Sequence, residues 1–213
     1  MMNLVVKKSG AKRYVSLMGI LCYCIVLLGW ANTWEDIRRE SKKIHSVSAQ
    51  FSQKKHVQIL TRPLVSKGFF YFQAPDSVRW EYTSPIKSVL IMHKGNIKRY
   101  TQGEKGLAED ASGPLEAMQS VLQEIGRWTR GEFTENEHFS ATLKGGKAPR
   151  IILTPKEKGM AAMISRVVIT LSPDRQGVIK TVKIFENEGN HTLFEFTDVQ
   201  INGKISEMLF REM

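Results

Sequence analysis

Apolar and polar residues alternate along most of the chain after residue 45. Val78, Trp80 and Tyr82, for example, alternate with Arg79 and Glu81, a period of two that indicates a strand with one buried face. Clusters of Gly, Pro, Asn and Asp separate the alternating segments and indicate turns. The pattern predicts strands at 46–52, 68–72, 78–82, 89–92, 97–100, 139–143, 151–154, 164–171, 178–186, 191–201 and 205–210.

Two segments repeat with the period of a helix instead. Residues 34–44 predict a short amphipathic helix with basic side chains on its polar face. Residues 114–128 predict a longer helix with the best apolar stripe in the chain. That stripe consists of Leu115, Met118, Val121, Leu122, Ile125 and Trp128. The polar, glycine-containing stretch 102–113 before this helix is predicted to be a loop.

Consecutive strands joined by tight turns favour one meandering antiparallel sheet. A sheet of this size curls or closes, and the two amphipathic helices supply apolar faces that would cover its concave side. No composition shift or linker divides residues 32–213. We therefore predict a mainly β fold with an α lid, formed by a single domain over residues 32–213.

The first 31 residues have the layout of a secretory signal peptide. Four basic residues within 7–13 precede an uncharged apolar run over 15–28, and Gly29 and Ala31 provide small residues for cleavage. The run is shorter than the roughly 20 residues that span a bilayer. Cleavage near Ala31 is therefore favoured over retention as a membrane anchor, and we expect a protein exported to the periplasm.

Cleavage would change what charge and cysteine content imply. It would remove four of the 31 basic residues and none of the 21 acidic ones, so the formal net charge would fall from +10 to +6. Both cysteines, Cys22 and Cys24, would also leave, which excludes disulfides and thiolate metal sites from the mature chain. The remaining basic residues are dispersed, which favours a solvated surface over a nucleic-acid site, with contact to anionic membrane lipids as an intermediate case.

Motifs for catalysis or cofactor binding do not emerge from the sequence. The five histidines are scattered without the spacing of a metal site, and no serine lies in a nucleophile elbow. The Gly145-Gly146 pair fits a hairpin turn better than a phosphate loop. We predict a protein that is not an enzyme and that has no cofactor or metal.

Large apolar side chains remain as the candidates for function. The strands supply Phe51, Phe72, Trp80, Leu90 and Met92 among others. Soft apolar side chains between a curved sheet and a helix can line a cavity for an acyl chain. The same pattern also fits an ordinary filled core, and the sequence pattern alone leaves both interpretations open.

Several segments, taken in order, resemble the periplasmic lipoprotein carrier family, LolA. The strand Ala49–Gln53 is similar to the family's F-x-Q segment, and Gly68–Pro75 to its G-x-L-x-x-x-x-P segment. Arg79–Pro85 is similar to its W-x-x-x-x-P signature, and Leu90–Tyr100 to its D-G-x-x-L-W-x-Y hairpin. The L-x-P strand and the closing L-F of the family have counterparts at 152–155 and 209–210.

The resemblance implies an unclosed β-barrel, a half-barrel, with a helical lid over a hydrophobic cavity. Members carry lipoprotein acyl chains from an inner-membrane ABC-type release complex to an outer-membrane acceptor, without catalysis, and we expect a monomer. By resemblance, the strand around Trp80 lines the sheet side and the helix around Leu122 lines the lid side. The expected cavity residues are Phe51, Phe72, Val78, Trp80, Tyr82, Leu90, Met92, Met118, Leu122 and Ile125.

Three departures from the family leave the cargo open. Ala74 stands where well-known members carry an arginine that helps to hold the lid closed. The segment 62–64 resembles a divergent branch, some of whose members accompany gene sets for polyene or glycolipid export. The chain also stops three residues after Phe210, without a longer extension. The alternatives are a carrier of another lipid or lipid-linked polymer, and a lipoprotein-sensing regulatory module with the same half-barrel.

Overall fold

A computed structural model describes residues 33–112, 115–186 and 189–211, without the side chains of residues 115–118 and 120. The predicted signal peptide lies outside the described residues. The helices are α1 (Trp34–Ser41), α2 (Leu115–Thr129) and α3 (Lys158–Met163). The strands are β1 (Ser46–His56), β2 (Leu64–Gln73), β3 (Ser77–Ser84), β4 (Ser88–His93), β5 (Asn96–Gly103), β6 (Gly106–Glu109), β7 (Phe139–Lys144), β8 (Arg150–Pro155), β9 (Ile164–Leu171), β10 (Ile179–Glu186) and β11 (His191–Ile201).

All eleven strands form one antiparallel sheet in the order β6-β5-β4-β3-β2-β1-β11-β10-β9-β8-β7. Two meanders, β1–β6 and β7–β11, meet where β1 pairs with β11, with Phe51 opposite Phe196. The edge strands β6 and β7 are not paired with each other in the described part of the chain. The predicted fold is thereby confirmed: one large antiparallel sheet that curves without closing.

Helix α2 connects the two edge strands, so the chain crosses the concave face of the sheet at this helix. Its 15 residues span about 22 Å at 1.5 Å per residue. Leu122 is buried against the β1–β4 half of the sheet and Trp128 against the β7–β10 half. Ile125, half-buried between them, packs against both halves. Leu122, Ile125 and Trp128 of the predicted stripe therefore cover the concave face, whereas the side chains of Leu115 and Met118 lie outside the described residues.

Period-two alternation sorts the strand side chains between two surfaces. In β4, Leu90 and Met92 pack into the concave core, whereas Val89 and Ile91 belong to a small cluster on the convex face. Phe210, in a 3₁₀ turn over Glu207–Phe210, is buried in that convex cluster. The sheet therefore has a large concave core and a smaller convex one.

Two of the sequence predictions for strands and loops are wrong. The predicted loop 102–113 contains β6, which pairs with β5 through a tight turn where Gly103 lies opposite Gly106. The predicted last strand, 205–210, is instead an extended segment followed by the 3₁₀ turn. A strand there could not join the sheet beside β11, because β11 is already paired on one side with β1 and on the other with β10.

The strand registers give the half-barrel two ends. At one, the tied end, lie the turns 74–76, 94–95 and 172–178, together with α1. There the Ser41 hydroxyl donates to the Gly177 carbonyl at 3.3 Å, and the Asn202 side chain donates to the Lys43 carbonyl at 2.8 Å. At the other, the open end, lie the hairpin 57–63, the turn 85–87 and α3.

Candidate ligand-binding cavity

A cavity of about 860 Å³ lies between the concave face of the sheet and the helices α2 and α3. A curved sheet of eleven strands encloses more space than its own side chains fill, and one 15-residue helix covers only part of that face. Most of the lining side chains are apolar. The sheet contributes Val47, Ala49, Phe70, Trp80, Tyr82, Leu90, Val167, Val182, Ile184, Phe194, Phe196 and Val199, and the helices contribute Val121, Leu122, Ile125, Trp128, Met160 and Met163.

Aromatic rings build one wall of the cavity. The Trp80 ring centroid lies 4.8 Å from that of Phe51, 5.4 Å from Phe70 and 5.3 Å from Phe194. The contacts of Trp80 with Phe70 and Phe194 are edge-to-face, and such contacts are worth about 0.5–1.5 kcal/mol each beyond area burial. The wall also depends on Gly68, because a Cβ there would lie 2.9 Å from the Phe51 ring and 1.8 Å from a backbone carbonyl oxygen. The aromatic wall is therefore a fixed surface.

The structure divides the predicted cavity residues into two groups. Trp80, Tyr82, Leu90, Leu122 and Ile125 line the cavity. The others whose side chains are described are buried in the same core cluster and do not line the cavity, although Phe51 packs against the lining ring of Trp80; they are Phe51, Phe72, Val78 and Met92. The side chain of Met118 lies outside the described residues.

Position beneath α2 explains this division for two of the buried residues. A Cβ built on Gly126 of α2 would lie 3.8 Å from the Phe72 ring and 3.9 Å from the Val78 side chain. The helix backbone therefore packs directly on these two residues and leaves no space over them. Along the same helix, Val121 lines the cavity and is 58% exposed, which places it at the cavity mouth.

The β9–β11 half of the sheet supplies wall residues that the sequence analysis did not select. They include Val167 and Val182 from neighbouring strands, and Phe194 and Phe196 from β11. All four lie in segments that the sequence alternation predicts to be strands, namely 164–171, 178–186 and 191–201. Alternation shows that one face is apolar, but it does not show that this face borders empty space.

Charged side chains gather at the mouth beside α3. His138 Nδ1 lies 2.7 Å from Glu157 Oε1, and its Nε2 lies 3.4 Å from Glu137 Oε1. The hydrogen bond with Glu157, assisted by the charge of Glu137, raises the pKa of His138 above its ordinary value. From α2, Arg127 Nη1 lies 3.9 Å from Glu124 Oε1. One side of the mouth is therefore polar, whereas the interior is apolar.

A few polar atoms also lie on the sheet side of the cavity. The Tyr82 hydroxyl donates to Gln53 Oε1 at 2.6 Å, and burial raises the pKa of Tyr82. The Trp80 indole, which is 8% exposed, lies within hydrogen-bonding reach of the Tyr82 side chain. Among the described residues, no group of three or more His, Cys, Asp or Glu side chains is arranged to hold a metal ion. No helix in the described part of the chain is both long and apolar enough to cross a bilayer.

Two side chains of α2 and the segment after it attach the helix to the tied end. The Arg130 guanidinium donates to the Pro75 carbonyl, and Gln119 Nε2 donates to the Gly95 carbonyl at 3.1 Å. Ala74 contributes no side-chain hydrogen bond. Arg79 packs on the convex face, where it pairs with Glu81 at 2.9 Å. Arg130, which directly follows α2, therefore makes this contact with the turn at Pro75, whereas the family's arginine would lie on the turn itself, at position 74.

The fold and the cavity together define a half-barrel of the kind that encloses an apolar ligand beneath a helical lid. A comparison with protein families gives the narrower assignment. The family described as "Outer membrane lipoprotein carrier protein LolA" matches residues 42–212, and the chain belongs to this family.

Individual relatives are distant. An outer-membrane lipoprotein carrier protein of Francisella tularensis subsp. novicida is 24% identical over 200 residues, which cover 90% of each chain. Another, of Nitrosospira multiformis, is 23% identical over 146 residues, which cover 68% of this chain and 67% of the relative. The crystal structure of a LolA superfamily protein from Nitrosomonas europaea aligns with a TM-score of 0.42 at 9% identity, over 84% of this chain and 98% of that one.

Proposed function

We propose that the chain is a periplasmic carrier that shields the acyl chains of lipoproteins in its cavity and delivers them from the inner to the outer membrane. The observation that carries the proposal is the apolar cavity of about 860 Å³ beneath α2. Membership of the lipoprotein carrier family and the names of the two relatives support the choice of cargo.

The energetics of an acyl chain explain why a carrier is needed. Each methylene removed from water is worth about 0.8 kcal/mol, so a chain of about 15 methylenes is worth about 12 kcal/mol. That free energy opposes release from a membrane into water, and an apolar cavity offsets it. Because the contacts are dispersive and not directional, the cargo leaves again when an acceptor offers a better apolar environment.

The proposal includes export of the chain and a donor and an acceptor for its cargo. Residues 1–31 serve as the signal peptide, with cleavage near Ala31. The donor is an inner-membrane ABC-type release complex, and the acceptor lies at the outer membrane. No covalent step is involved, and we propose that the protein is not an enzyme. The formal net charge of +6 after cleavage favours transient contact with anionic membrane surfaces.

Mass spectrometry of protein purified gently from the periplasm tests the proposal. We expect a lipoprotein to co-purify with the wild type, and the variant Val121→Asp to lose it, because a carboxylate at the mouth opposes entry of an apolar chain. Val121 is 58% exposed, so this variant keeps its fold. Leu122→Asp should also abolish binding, but Leu122 is buried and the change threatens folding.

Met208→Asp is the matched control, because Met208 is 61% exposed on the 3₁₀ turn and does not line the cavity. It should retain the ligand. A free lipid or lipid-linked polymer in place of a lipoprotein would keep the carrier function and replace the cargo. Wild-type protein that never carries an acyl ligand would contradict the proposal.

A further inference from the structure

Four apolar side chains are exposed on or beside two neighbouring loops at the open end of the half-barrel. Single exposed apolar side chains are common on protein surfaces, but a cluster of them marks a surface that meets an apolar partner. With exposed fractions of 88%, 44%, 55% and 68% respectively, the four are Ile59, Leu60, Leu64 and Ile86.

Strand pairing brings the two loops together. The β1–β2 ladder continues to Leu64, whereas the β2–β3 ladder ends at the pair Lys67 and Ser84. The loop between β1 and β2 therefore projects beyond β3, and the turn that follows Ser84 lies beside its base. Residues 57–64 and 85–87 are together called the apolar tip.

The basic side chains around the apolar tip have no acidic partners. Arg62, Lys67 and Lys87 are exposed, and within the described part of the chain none of them forms an ion pair with a carboxylate. By contrast, both lysines of β1 are paired with glutamates of β10 and β11. The three charges at the apolar tip are therefore free to meet an external anion.

Acidic residues are missing from the segments that build the apolar tip. No Asp or Glu occurs between Glu40 and Asp76, or between Glu81 and Glu104. Exposed apolar side chains bordered by Lys and Arg are typical of segments that lie in the interface of an anionic membrane. A second copy of the chain would bring like charges together, so charge complementarity favours a lipid surface over self-association.

The apolar tip also lies beside the cavity. Tyr82 and Ser88, on the strands that enter and leave the turn 85–87, both line the cavity. A chain docked through its apolar tip would therefore hold this side of the cavity close to the lipid. An acyl chain could then pass between membrane and cavity with little exposure of its methylenes to water.

We propose that the apolar tip is a docking surface for an anionic phospholipid bilayer. Ile59, Leu60 and Ile86 insert among the lipid head groups, while the neighbouring basic side chains contact lipid phosphates. The use of this docking for cargo transfer rests on the proposed function. The docking itself needs no cargo, so the two can be tested separately.

Co-sedimentation with vesicles tests whether the chain docks on lipid. Protein purified from the periplasm is mixed with vesicles of phosphatidylethanolamine and phosphatidylglycerol, or with vesicles of phosphatidylcholine alone. We expect binding to the anionic vesicles to be at least about tenfold tighter, because each basic side chain near an anionic surface contributes about fivefold. Added salt should weaken this binding.

Two substitutions locate the docking surface. Ile59→Ser should weaken binding to the anionic vesicles about tenfold, because it removes an inserted apolar side chain, and Arg62→Gln should weaken it about fivefold. Both side chains are exposed, so the variants keep their fold, which circular dichroism checks. Met208→Ser and Lys147→Gln are the matched controls, since both residues are exposed away from the apolar tip, and binding should stay within about twofold.

A fluorescent label reports insertion directly. Both cysteines of the chain lie within residues 1–31, so Ile59→Cys gives the exported protein a single thiol for an environment-sensitive dye. Anionic vesicles should shift the emission of this dye to shorter wavelength, because the dye enters an apolar environment. The same dye on Met208→Cys should show no shift.

Three results would overturn the docking surface. An unchanged emission at residue 59 while the chain sediments would place the lipid contact elsewhere, and dimerisation that Ile59→Ser abolishes would make a second copy the occupant. Absence of vesicle binding by a protein that carries a lipoprotein would remove the docking and leave the carrier function intact. A chain that docks but never carries an acyl ligand would contradict the carrier function alone.

Discussion

The tied end and the open end of the half-barrel are built in opposite ways. At the tied end, hydrogen bonds from Arg130 and Gln119 hold the covering helix to two strand turns. At the open end, Ile59, Ile86 and Met163 are 88%, 68% and 66% exposed. The covering helix is thus attached at the tied end of the half-barrel, whereas the open end carries exposed apolar side chains, and this contrast indicates where a ligand enters. We expect passage at the open end, beside α3.

The two ends of the half-barrel also differ in how closely their helices pack. Gly131 ends α2 at the tied end with φ of +77°, and a Cβ there would lie 2.2 Å from the Cβ of Ser41. Ser41 is fully buried. The two helices therefore touch through their smallest residues, which fixes the position of α2. The open end has no comparable contact between α3 and α2 in the described residues.

The largest expected effect is that of Gly131→Ala. The left-handed backbone costs roughly 1 kcal/mol for alanine, and overpacking against Ser41 adds roughly 1–3 kcal/mol, so we expect a loss of about 3 kcal/mol by urea unfolding. Gly189→Ala is the matched control at the open end, with φ of +78° and its nearest neighbouring atom 3.8 Å away. It should lose only about 1 kcal/mol. Equal losses would show that the two ends do not differ in packing.

Arg130→Met should have the next largest effect. Removing a charged donor from the Pro75 carbonyl should cost about 1.5–3 kcal/mol and should speed hydrogen exchange in α2 selectively. Lys54→Met breaks an ion pair with Glu195 whose partners are both about 40% exposed, and should cost at most about 1 kcal/mol. If exchange in α2 is unchanged in Arg130→Met, the tether does not hold the helix.

A smaller effect is expected from the titration of His138 at the mouth. Its pKa is raised chiefly by the hydrogen bond with Glu157, so the stabilisation is fully present below the ordinary value of 6.5 and is lost as the pH rises through the raised pKa. Between pH 6 and pH 9 the free energy of unfolding should fall by less than about 1 kcal/mol from this group, because the pair is solvent-exposed. His138→Gln should remove that part of the pH dependence, and an unchanged profile would contradict the assignment.

The smallest effect is expected at the hairpin of the open end. Ile59 is 88% exposed, so Ile59→Ser should change the free energy of unfolding by less than about 0.5 kcal/mol. Thermal unfolding of the variant beside the wild type measures this. A loss above about 1 kcal/mol would mean that the hairpin packs on something and that the end is not open.

The strands were predictable because each one alternates locally. The four residues of β6 were not, since Gly-Leu-Ala-Glu carries almost no alternation. The false strand at 205–210 shows a different limit: a strand needs a free neighbour, and pairing is decided by distant parts of the chain. The helix α3 over Lys158–Met163 was also missed, because its six residues are too few to show a helical period.

The cavity could be predicted only as a region. Leu90 and Met92 share a strand and a face, yet Leu90 lines the cavity and Met92 is buried within the core. The local pattern does not separate them, because lining a cavity depends on what the rest of the fold packs over each side chain.

The pairing of β1 with β11 has a consequence for how the chain folds. Val47 lies opposite Ile201, so the central ladder of the sheet joins segments about 150 residues apart, and ladders of such separation close slowly. A chain that crosses a membrane unfolded cannot complete this sheet until residues 191–201 have emerged. Until then the eleven-residue edge of β1 is bare, and it would accept a strand from another molecule. Holding the nascent chain apart from its copies is therefore part of making this protein.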